Sequence, residues 1–290
     1  MRGQGISVII PAYNAASSIR ATVASATSKR IAEVIVVDDG SIDDTASIAQ
    51  ESGALVLRQE NAGAAAARRR GLAQAKSELV YFLDADDIVI VRSLVSCADA
   101  LMSRSDVVAV SARTAYLSQR GSRLELPSWP EEVTIESLLA RSQPPGPPAS
   151  LLWRREAVVE SLLSLPAPLN PKYAEDYEML LRVAALGPVL SIADLLCEYQ
   201  SSGGKSSLEP FKSIRDAEAI RRYYAAHLGV RIETRTTRQL RARVNFRRAF
   251  EARVDGRAGL SFWRTVVGLT LDPKMVLLKL QRDLHKRSET

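Results

Sequence analysis

The chain has 290 residues, of which 46% are hydrophobic and 25% are charged. This balance is typical of a soluble globular protein. Its two cysteines, Cys97 and Cys197, form neither a disulfide framework nor a zinc-binding pattern, and they suit a reducing compartment. Because no apolar run approaches the ~20 residues of a membrane helix and the N-terminus lacks a signal-peptide core, we expect a cytoplasmic protein.

The positive charge is concentrated at one end of the sequence. Residues 1–210 hold 20 Lys and Arg against 25 Asp and Glu, whereas residues 211–290 hold 19 against 8. A basic segment of this kind meets an anionic partner or surface, or packs on acidic faces of the same protein. The sequence leaves both alternatives open.

Apolar strands alternate with helices through the first 110 residues. Strands are predicted at residues 5–10, 33–37, 54–57, 79–83 and 107–110, with helices that begin near residues 17, 45 and 61. This alternation predicts right-handed βαβ units, and therefore an α/β fold whose central sheet is mostly parallel and flanked by helices. Residues 214–226 and 236–252 are predicted to be arginine-rich helices.

An acidic cluster follows the fourth predicted strand. Asp84, Asp86 and Asp87 lie at the carboxyl end of that strand, where open α/β sheets bind their ligands. Carboxylates this close repel one another unless a cation lies between them. Mg²⁺ and Mn²⁺ take such hard oxygen ligands, often together with substrate phosphates. A solvated turn with acidic N-caps explains the same residues, so this stretch alone does not decide.

Three other polar segments are placed where chemistry is expected. Residues 11–14 and 38–41 also follow strands, so we expect them to line one crevice with the acidic cluster. Further along, Glu175 and Asp176 lie in the first turn of a predicted helix. Stabilisation of the helix dipole, worth only ~0.3–1 kcal/mol, explains these two carboxylates without any function.

Taken together, these motifs resemble the family 2 glycosyltransferases with the GT-A fold. The resemblance is carried by residues 6–14, 36–41, 61–71 and 83–87, in that order, and again by residues 173–182. It implies a nucleotide-sugar-binding half at 1–110 and an acceptor-binding and catalytic-base half at 111–210. Residues 211–290 carry no motif of the family, and their charge and helical pattern predict a basic helical C-terminal region. Two departures are Arg69, where the family has Asn, and the absence of a histidine after Tyr199.

The resemblance also implies how a nucleotide-diphospho-sugar would be held. Pro11 and Tyr13 would wall the nucleoside, and Asp38 or Asp39 would accept a hydrogen bond from the base, for which uracil N3–H is a natural donor. Arg68 would pair with a phosphate or bridge to the acidic cluster. The full set of implied donor-binding residues is Pro11, Tyr13, Asn14, Asp38, Asp39, Asn61, Gly63, Arg68, Asp84 and Ala85.

For the chemistry, the resemblance implies Asp86, with Asp84, as the binding site of a divalent cation, Mg²⁺ or Mn²⁺. Asp176 would be the base that deprotonates the acceptor hydroxyl, with Glu175 orienting it or reaching the acceptor. Attack opposite the leaving group would invert the anomeric centre. We therefore expect a sugar to pass to a glycan or lipid-linked acceptor in polysaccharide biosynthesis, and we expect no nucleic-acid partner.

Two other interpretations compete with this one. A sugar-phosphate nucleotidyltransferase also combines an α/β sheet with acidic metal ligands, but residues 11–14 are not the Gly- and Lys-rich phosphate loop that it needs. A non-catalytic, transferase-like protein could instead hold a membrane through its basic end. Residues 273–290 predict a basic amphipathic helix, so we expect either peripheral contact with the cytoplasmic face of the inner membrane or packing on the protein itself.

Overall fold

The structure, a computed structural model, describes residues 5–130, 132–164, 166–200 and 205–273. These residues form two compact units. The first consists of residues 5–116 and 125–200, and the second of residues 117–124 and 205–273. The division into 1–110, 111–210 and 211–290 stays a prediction.

The first half of the larger unit alternates strands and helices as predicted. Its elements are β1 (Ile6–Ala12), α1 (Ile19–Ser25), β2 (Ile31–Asp38), α2 (Thr45–Glu51), β3 (Leu55–Arg58), α3 (Ala64–Gln74) and β4 (Leu79–Phe82). The strands lie in the order β3-β2-β1-β4, and each neighbouring pair is parallel. Every residue of β1 and β4 is buried, because helices and loops cover both faces of a parallel sheet.

The second half adds antiparallel strands to the same sheet. Its elements are β5 (Ile88–Val89), α4 (Val91–Ser103), β6 (Ala109–Leu117), β7 (Arg123–Glu125), β8 (Glu132–Val133), α5 (Ile135–Arg141), β9 (Leu151–Arg154), α6 (Arg155–Leu163), α7 (Glu175–Ala184) and β10 (Val189–Gln200). Here β9 pairs antiparallel with both β4 and β6. The α/β, Rossmann-like class is confirmed, but the predicted fifth strand, β6, is separated from β4 by β9.

Helix α3 lies very close to the sheet, which places its polar residues near the strand ends. A Cβ on Gly71 would overlap the side chain of Ile9 and lie 3.3 Å from Val37, so only glycine permits this approach. Arg68 is one turn earlier on the same helix and is consequently buried, at 7% exposure. The packing of α3 therefore carries an arginine to the edge of the sheet where the predicted site lies.

The smaller unit is mainly helical, although its residues 117–124 include the end of β6 and most of β7. It contains α8 (Lys205–Leu208), α9 (Pro210–His227), α10 (Thr237–Val254) and α11 (Ala258–Leu271), and α10 begins with a capping box formed by Thr236 and Gln239. Both predicted arginine-rich helices are present. Within the described part of the chain, no helix is both long and apolar enough to cross a bilayer. The predicted basic helix at 273–290 lies, apart from Pro273, outside the described residues.

A buried carboxylate organises this helical unit. Glu218, at 6% exposure, accepts hydrogen bonds of 2.8 Å from Arg221 and 2.8 Å from Arg235. Burial alone would raise the pKa of Glu218, but the hydrogen bonds from the two arginines outweigh it and lower that pKa. The ion cluster ties α9 to the segment that precedes α10.

We expect Glu218→Gln to destabilise the protein by about 3 kcal/mol, because the buried Arg221 and the half-buried Arg235 lose their counter-charge. The wild-type advantage should be present above the ordinary carboxyl pKa and be lost as the pH falls through the lowered pKa of Glu218. Urea unfolding across this range measures the effect. Asp216→Asn, on the same helix but in a surface pair with Arg215, is the matched control and should change little. Equal losses in both variants would contradict the prediction.

Candidate active site

The loops after β1 and β2 are joined by a reciprocal pair of hydrogen bonds. The backbone N–H of Asn14 donates to Ser41 Oγ at 2.9 Å, and the N–H of Ile42 donates to Asn14 Oδ1 at 3.0 Å. Asn14 has φ = 50°, a left-handed conformation that asparagine tolerates better than most residues. Pro11 is buried, while Tyr13 is 53% exposed, so of these two only the tyrosine ring offers much surface to a ligand.

The two aspartates after β2 are engaged by protein donors. Asp38 has no exposed surface and accepts from Arg58 Nε and from the N–H of Ser41, each at 3.0 Å. Asp39 accepts from Gln59 and from the N–H groups of residues 62 and 63, each at 2.8 Å. Asp39 keeps 4% exposure, so a contact with a nucleobase stays a prediction that suits Asp39 better than Asp38.

Asp39 thereby shapes the segment that leads into α3. The backbone N–H of Gly63 donates to Asp39. Gly63 has φ = 89° and is the N-cap of α3. A Cβ on Gly40 would lie 3.0 Å from the backbone nitrogen of Asn61, which shows how closely the two loops pack. Both Asn61 and Gly63 therefore lie beside the loop that follows β2, and their contact with a nucleotide stays a prediction.

We expect Asp39→Asn to cost about 1–3 kcal/mol, because its amide group would face backbone N–H donors in place of an acceptor oxygen. The measurement is the free energy of unfolding from urea titration. Asp44→Asn is the control, since Asp44 is exposed and its side chain makes no capping hydrogen bond. An Asp39→Asn variant as stable as this control would show that the three contacts do not hold the loop.

Arg68 connects the acidic end of β4 with the start of α7. Its guanidinium donates to Asp84 Oδ1 at 2.7 Å and lies 3.6 Å from Glu175 Oε1. Burial opposes the charge of Arg68, but Asp84, Glu175 and then Asp176 raise its pKa above the ordinary value. Asp84 and the adjacent pair Glu175 and Asp176, which are some ninety residues apart in the sequence, thus interact with one buried cation.

The residues after β4 divide into structural and accessible ones. The Ala85 carbonyl accepts from Ser18 and Thr22, at 2.8 and 2.9 Å. Asp87 is fully buried and accepts from the N–H of Gln200 at 3.0 Å. Asp86 is exposed, in the turn that follows β4. Its carboxyl group is nevertheless partly desolvated by the protein around it, and this desolvation and the charge of Asp84 raise its pKa. Asp86 is therefore the most exposed carboxylate of this cluster.

The first turn of α7 supplies the second acidic pair. Burial raises the pKa of Asp176, and burial together with the charge of Asp176 raises the pKa of Glu175. Asp176 accepts from the N–H of Tyr177 at 2.8 Å, which fixes its carboxylate at the helix start. The preceding Ala174 has φ = 60°, an uncommon conformation for a residue with a Cβ. Asp176 is half-buried, and a partly desolvated carboxylate with a raised pKa has the character of a general base.

The residues present fit a divalent cation that is held mainly by a substrate. Asp84 and Asp86 offer hard oxygen atoms, as Mg²⁺ and Mn²⁺ require. Among the described residues there is no group of three or more His, Cys, Asp or Glu side chains that could hold a metal alone. A cation bound here would take its remaining ligands from phosphate oxygens and water, which is common for Mg²⁺.

Several residues at the site were not singled out from the sequence. Arg58 donates to Asp38, and Gln59 donates to Asp39. Arg69, which stands at a position where the family has Asn, donates to Asn170 at 3.2 Å. The left-handed conformation of Ala174 carries no sequence signal, because alanine is not a residue that marks positive φ. The contacts of Arg58 and Gln59 depend on the loop following β3, which local patterns do not place.

Sequence comparison supports the family resemblance that was inferred from the motifs. The sequence model described as "Glycosyl transferase family 2" matches residues 7–159. The succinoglycan biosynthesis protein ExoU of Rhizobium meliloti is 48% identical over 89 residues, 28% of this chain and 26% of that protein. The putative teichuronic acid biosynthesis glycosyltransferase TuaG of Bacillus subtilis is 34% identical over 143 residues, 46% of this chain and 56% of that protein. The matched segments thus span about a quarter to about half of these relatives' lengths.

Solved structures show the same fold. Residues 1–349 of S. aureus TarS, in complex with UDP-GlcNAc, align with a TM-score of 0.60 at 21% identity, over 87% of this chain and 74% of that one. Glucosyl-3-phosphoglycerate synthase from Mycobacterium tuberculosis, in complex with Mn²⁺, UDP and phosphoglyceric acid, aligns with a TM-score of 0.55 at 22% identity, over 79% of this chain and 80% of that one.

Proposed function

The chain belongs to the family 2 glycosyltransferases, and we propose that it transfers a sugar from a nucleoside-diphospho-sugar, with uridine as the nucleoside, to a hydroxyl group of a glycan or lipid-linked acceptor. The observation that carries this proposal is the gathering of Asp84, Glu175 and Asp176 around Arg68. It brings the predicted donor-binding edge of the sheet to the predicted base. Solved structures of similar fold hold UDP or UDP-GlcNAc, which supports the uridine donor.

In the proposed reaction Asp176 accepts the proton of the acceptor hydroxyl. The resulting oxygen nucleophile forms a bond to the anomeric carbon from the side opposite the diphosphate, and the sugar–phosphate bond breaks. Its electron pair leaves with the nucleoside diphosphate, so the anomeric configuration is inverted. Burial keeps the pKa of Asp176 above the ordinary carboxyl value, which makes it a stronger base than an exposed aspartate.

Asp86, with Asp84, is proposed to hold the divalent cation. When bound, such a cation neutralises the negative charge that develops on the departing diphosphate. The chain's own contribution is to keep an exposed carboxylate, Asp86, at the end of β4, while Arg68 partly neutralises Asp84. Arg68 is thus assigned to the acidic cluster, the second of its two predicted roles.

The biological setting is proposed from the relatives. ExoU is named as a protein of succinoglycan biosynthesis, and TuaG as a putative glycosyltransferase of teichuronic acid biosynthesis. Both names favour a role for this chain in building a polysaccharide. We propose a cytoplasmic protein that works at the inner face of the membrane, where lipid-linked acceptors would be reached.

The direct test is a thermal-shift and calorimetry panel of UDP-, GDP- and dTDP-sugars with Mn²⁺, followed by transfer assays with the sugars that bind. A UDP-sugar should raise the melting temperature, and UDP should accumulate with an acceptor. Pyrophosphate release from a nucleoside triphosphate and a sugar phosphate would instead identify a nucleotidyltransferase. A chain that binds none of these nucleotides would be non-catalytic, and the proposal would fall.

We expect Asp86→Ala to weaken UDP binding by about tenfold in the presence of Mn²⁺, because a carboxylate ligand is lost. Calorimetry is done once with Mn²⁺ and once with EDTA. In EDTA the wild type and Asp86→Ala should bind UDP equally, so a difference that appears only with Mn²⁺ is due to the lost metal ligand. Asp44→Ala is the control for removing an acidic residue, since Asp44 is exposed and its side chain makes no capping hydrogen bond. If Mn²⁺ strengthened UDP binding equally in Asp86→Ala and the wild type, the assignment of the cation to Asp86 would be wrong.

A further inference from the structure

Helix α11 turns an uncharged face outward. Its inner side packs along α10, where a Cβ on Gly268 would lie 2.7 Å from the Phe246 ring. At 100° per residue, Phe262, Trp263 and Val266 lie on the side opposite Gly268. Phe262 is 71% exposed and Trp263 is 61% exposed. Two large aromatic side chains therefore stand in solvent on the same side of one helix.

Helix α11 has almost no charged residues that could make this face hydrophilic. Arg264 is the only charged residue between positions 258 and 271, and it is half-buried and donates to Asn245 on α10 at 3.2 Å. Exposed aromatic residues clustered on an otherwise uncharged helix face mark a contact surface and not a solvated one.

The surroundings of this face are strongly basic. Residues 237–273, which comprise α10, the turn and α11, contain eight arginines and three acidic residues. Arg253 and Arg257 are exposed at the turn directly before α11. The segment that carries the exposed aromatic rings therefore also carries an excess of positive charge, although Arg257 pairs with Asp255 at 2.6 Å. Aromatic and basic residues are combined in this way where helices lie at an anionic lipid surface.

We propose that α11 binds an anionic membrane surface, with Phe262 and Trp263 seated at the level of the lipid headgroups and the neighbouring arginines on lipid phosphates. Tryptophan favours this interface because its ring is apolar and its N–H is polar. A second copy of the chain is the weaker occupant, since it would bring the same arginine-rich segments against one another. The site is distinct from residues 273–290, on which the sequence placed a membrane contact.

The test measures co-sedimentation of the full chain with vesicles of equal parts phosphatidylcholine and phosphatidylglycerol. We expect Phe262→Ser/Trp263→Ser to weaken binding by about tenfold or more, because two apolar side chains no longer leave water. The matched control is Leu163→Ser, which removes an 83% exposed apolar residue from the other compact unit and should bind like the wild type. Equal melting temperatures and UDP binding show that the double variant is folded. Vesicle binding needs neither donor nor acceptor, so its outcome is independent of the proposed sugar transfer and bears only on the proposed location at the membrane.

Two further measurements identify the contact. Arg253→Gln/Arg257→Gln should weaken binding to the anionic vesicles several-fold and leave the weak binding to pure phosphatidylcholine unchanged. Lipids brominated near the headgroup should quench tryptophan fluorescence in the wild type and much less in Trp263→Phe. Undiminished vesicle binding by the double aromatic variant would overturn the proposal. A lipid-free dimer that the same variant abolishes would overturn it as well, because the second copy would then be the occupant.

Discussion

Asp176→Asn is expected to lower kcat by about 10²–10⁴-fold, the range that a positioned general base contributes. The amide cannot accept the proton of the acceptor hydroxyl, although its oxygen can still accept from the N–H of Tyr177. Since burial disfavours the ionised form of Asp176, the neutral amide should not destabilise the protein. UDP-sugar binding, measured by calorimetry, should stay at the wild-type level, so that the defect lies in transfer alone.

The pH profile gives an independent readout of the same group. Because burial raises the pKa of Asp176, the acid limb of kcat/KM should lie above the ordinary carboxyl range, with activity falling as the pH drops through that pKa. Asp176→Asn should lack this limb. Glu178→Gln is the matched control, because Glu178 lies on the same helix and accepts from the N–H of Leu169 at 2.8 Å, a contact that glutamine keeps. A fully active Asp176→Asn variant would remove Asp176 as the base.

The strands of the nucleotide-binding half could be predicted because each is a short apolar run, and three of them have a proline or an aspartate at or near the end, although β1 continues through Pro11 to Ala12. Pro11, Asp38 and Asp84 mark three of these ends, and β1, β2 and β4 end within two residues of them. Strand β9 could not be predicted in the same way. Its four residues, Leu151–Arg154, form too short a run to distinguish a strand from the start of a helix. Pairing with β4 and β6 makes it a strand, and that pairing is decided by the whole sheet.

The candidate site could also be predicted only in part, because some of its contacts follow from local sequence patterns and others depend on how distant segments pack. The position of Asp84 at a strand end followed from the sequence pattern, because the carboxyl ends of parallel strands share one edge of the sheet. That Asp176 would join the same site was implied only by the family resemblance. It did not distinguish the two alternatives for Arg68, a phosphate contact or a bridge to the acidic cluster. The close approach of α3 to the sheet at Gly71 decides the geometry of that arginine. Such packing depends on the partner surface and is not encoded in the motif.

Arg68→Met is expected to destabilise the protein by about 3 kcal/mol, because a buried cation that neutralises several carboxylates is removed. The loss is placed at the low end of the range for buried ion pairs, since the side chains of Asp84 and Glu175 keep 28% and 31% exposure. The positive charge of Arg68 lowers the pKa of both Glu175 and Asp176, so these values should rise further in the variant. Carboxyl groups whose pKa is raised in the folded state make stability fall as the pH rises through that pKa.

The deficit of Arg68→Met should therefore be larger near neutral pH than in mild acid, which urea unfolding at about pH 8 and about pH 5 would measure. Arg70→Met is the matched control. Arg70 lies two residues further on the same helix and is exposed, so its loss should change the free energy of unfolding by less than about 0.5 kcal/mol. A deficit in Arg68→Met that is the same at both pH values would mean that lost packing, and not lost charge, accounts for it. The three carboxylates would then be held at the site by something other than Arg68, and the electrostatic link between the donor edge and the base would have to be abandoned.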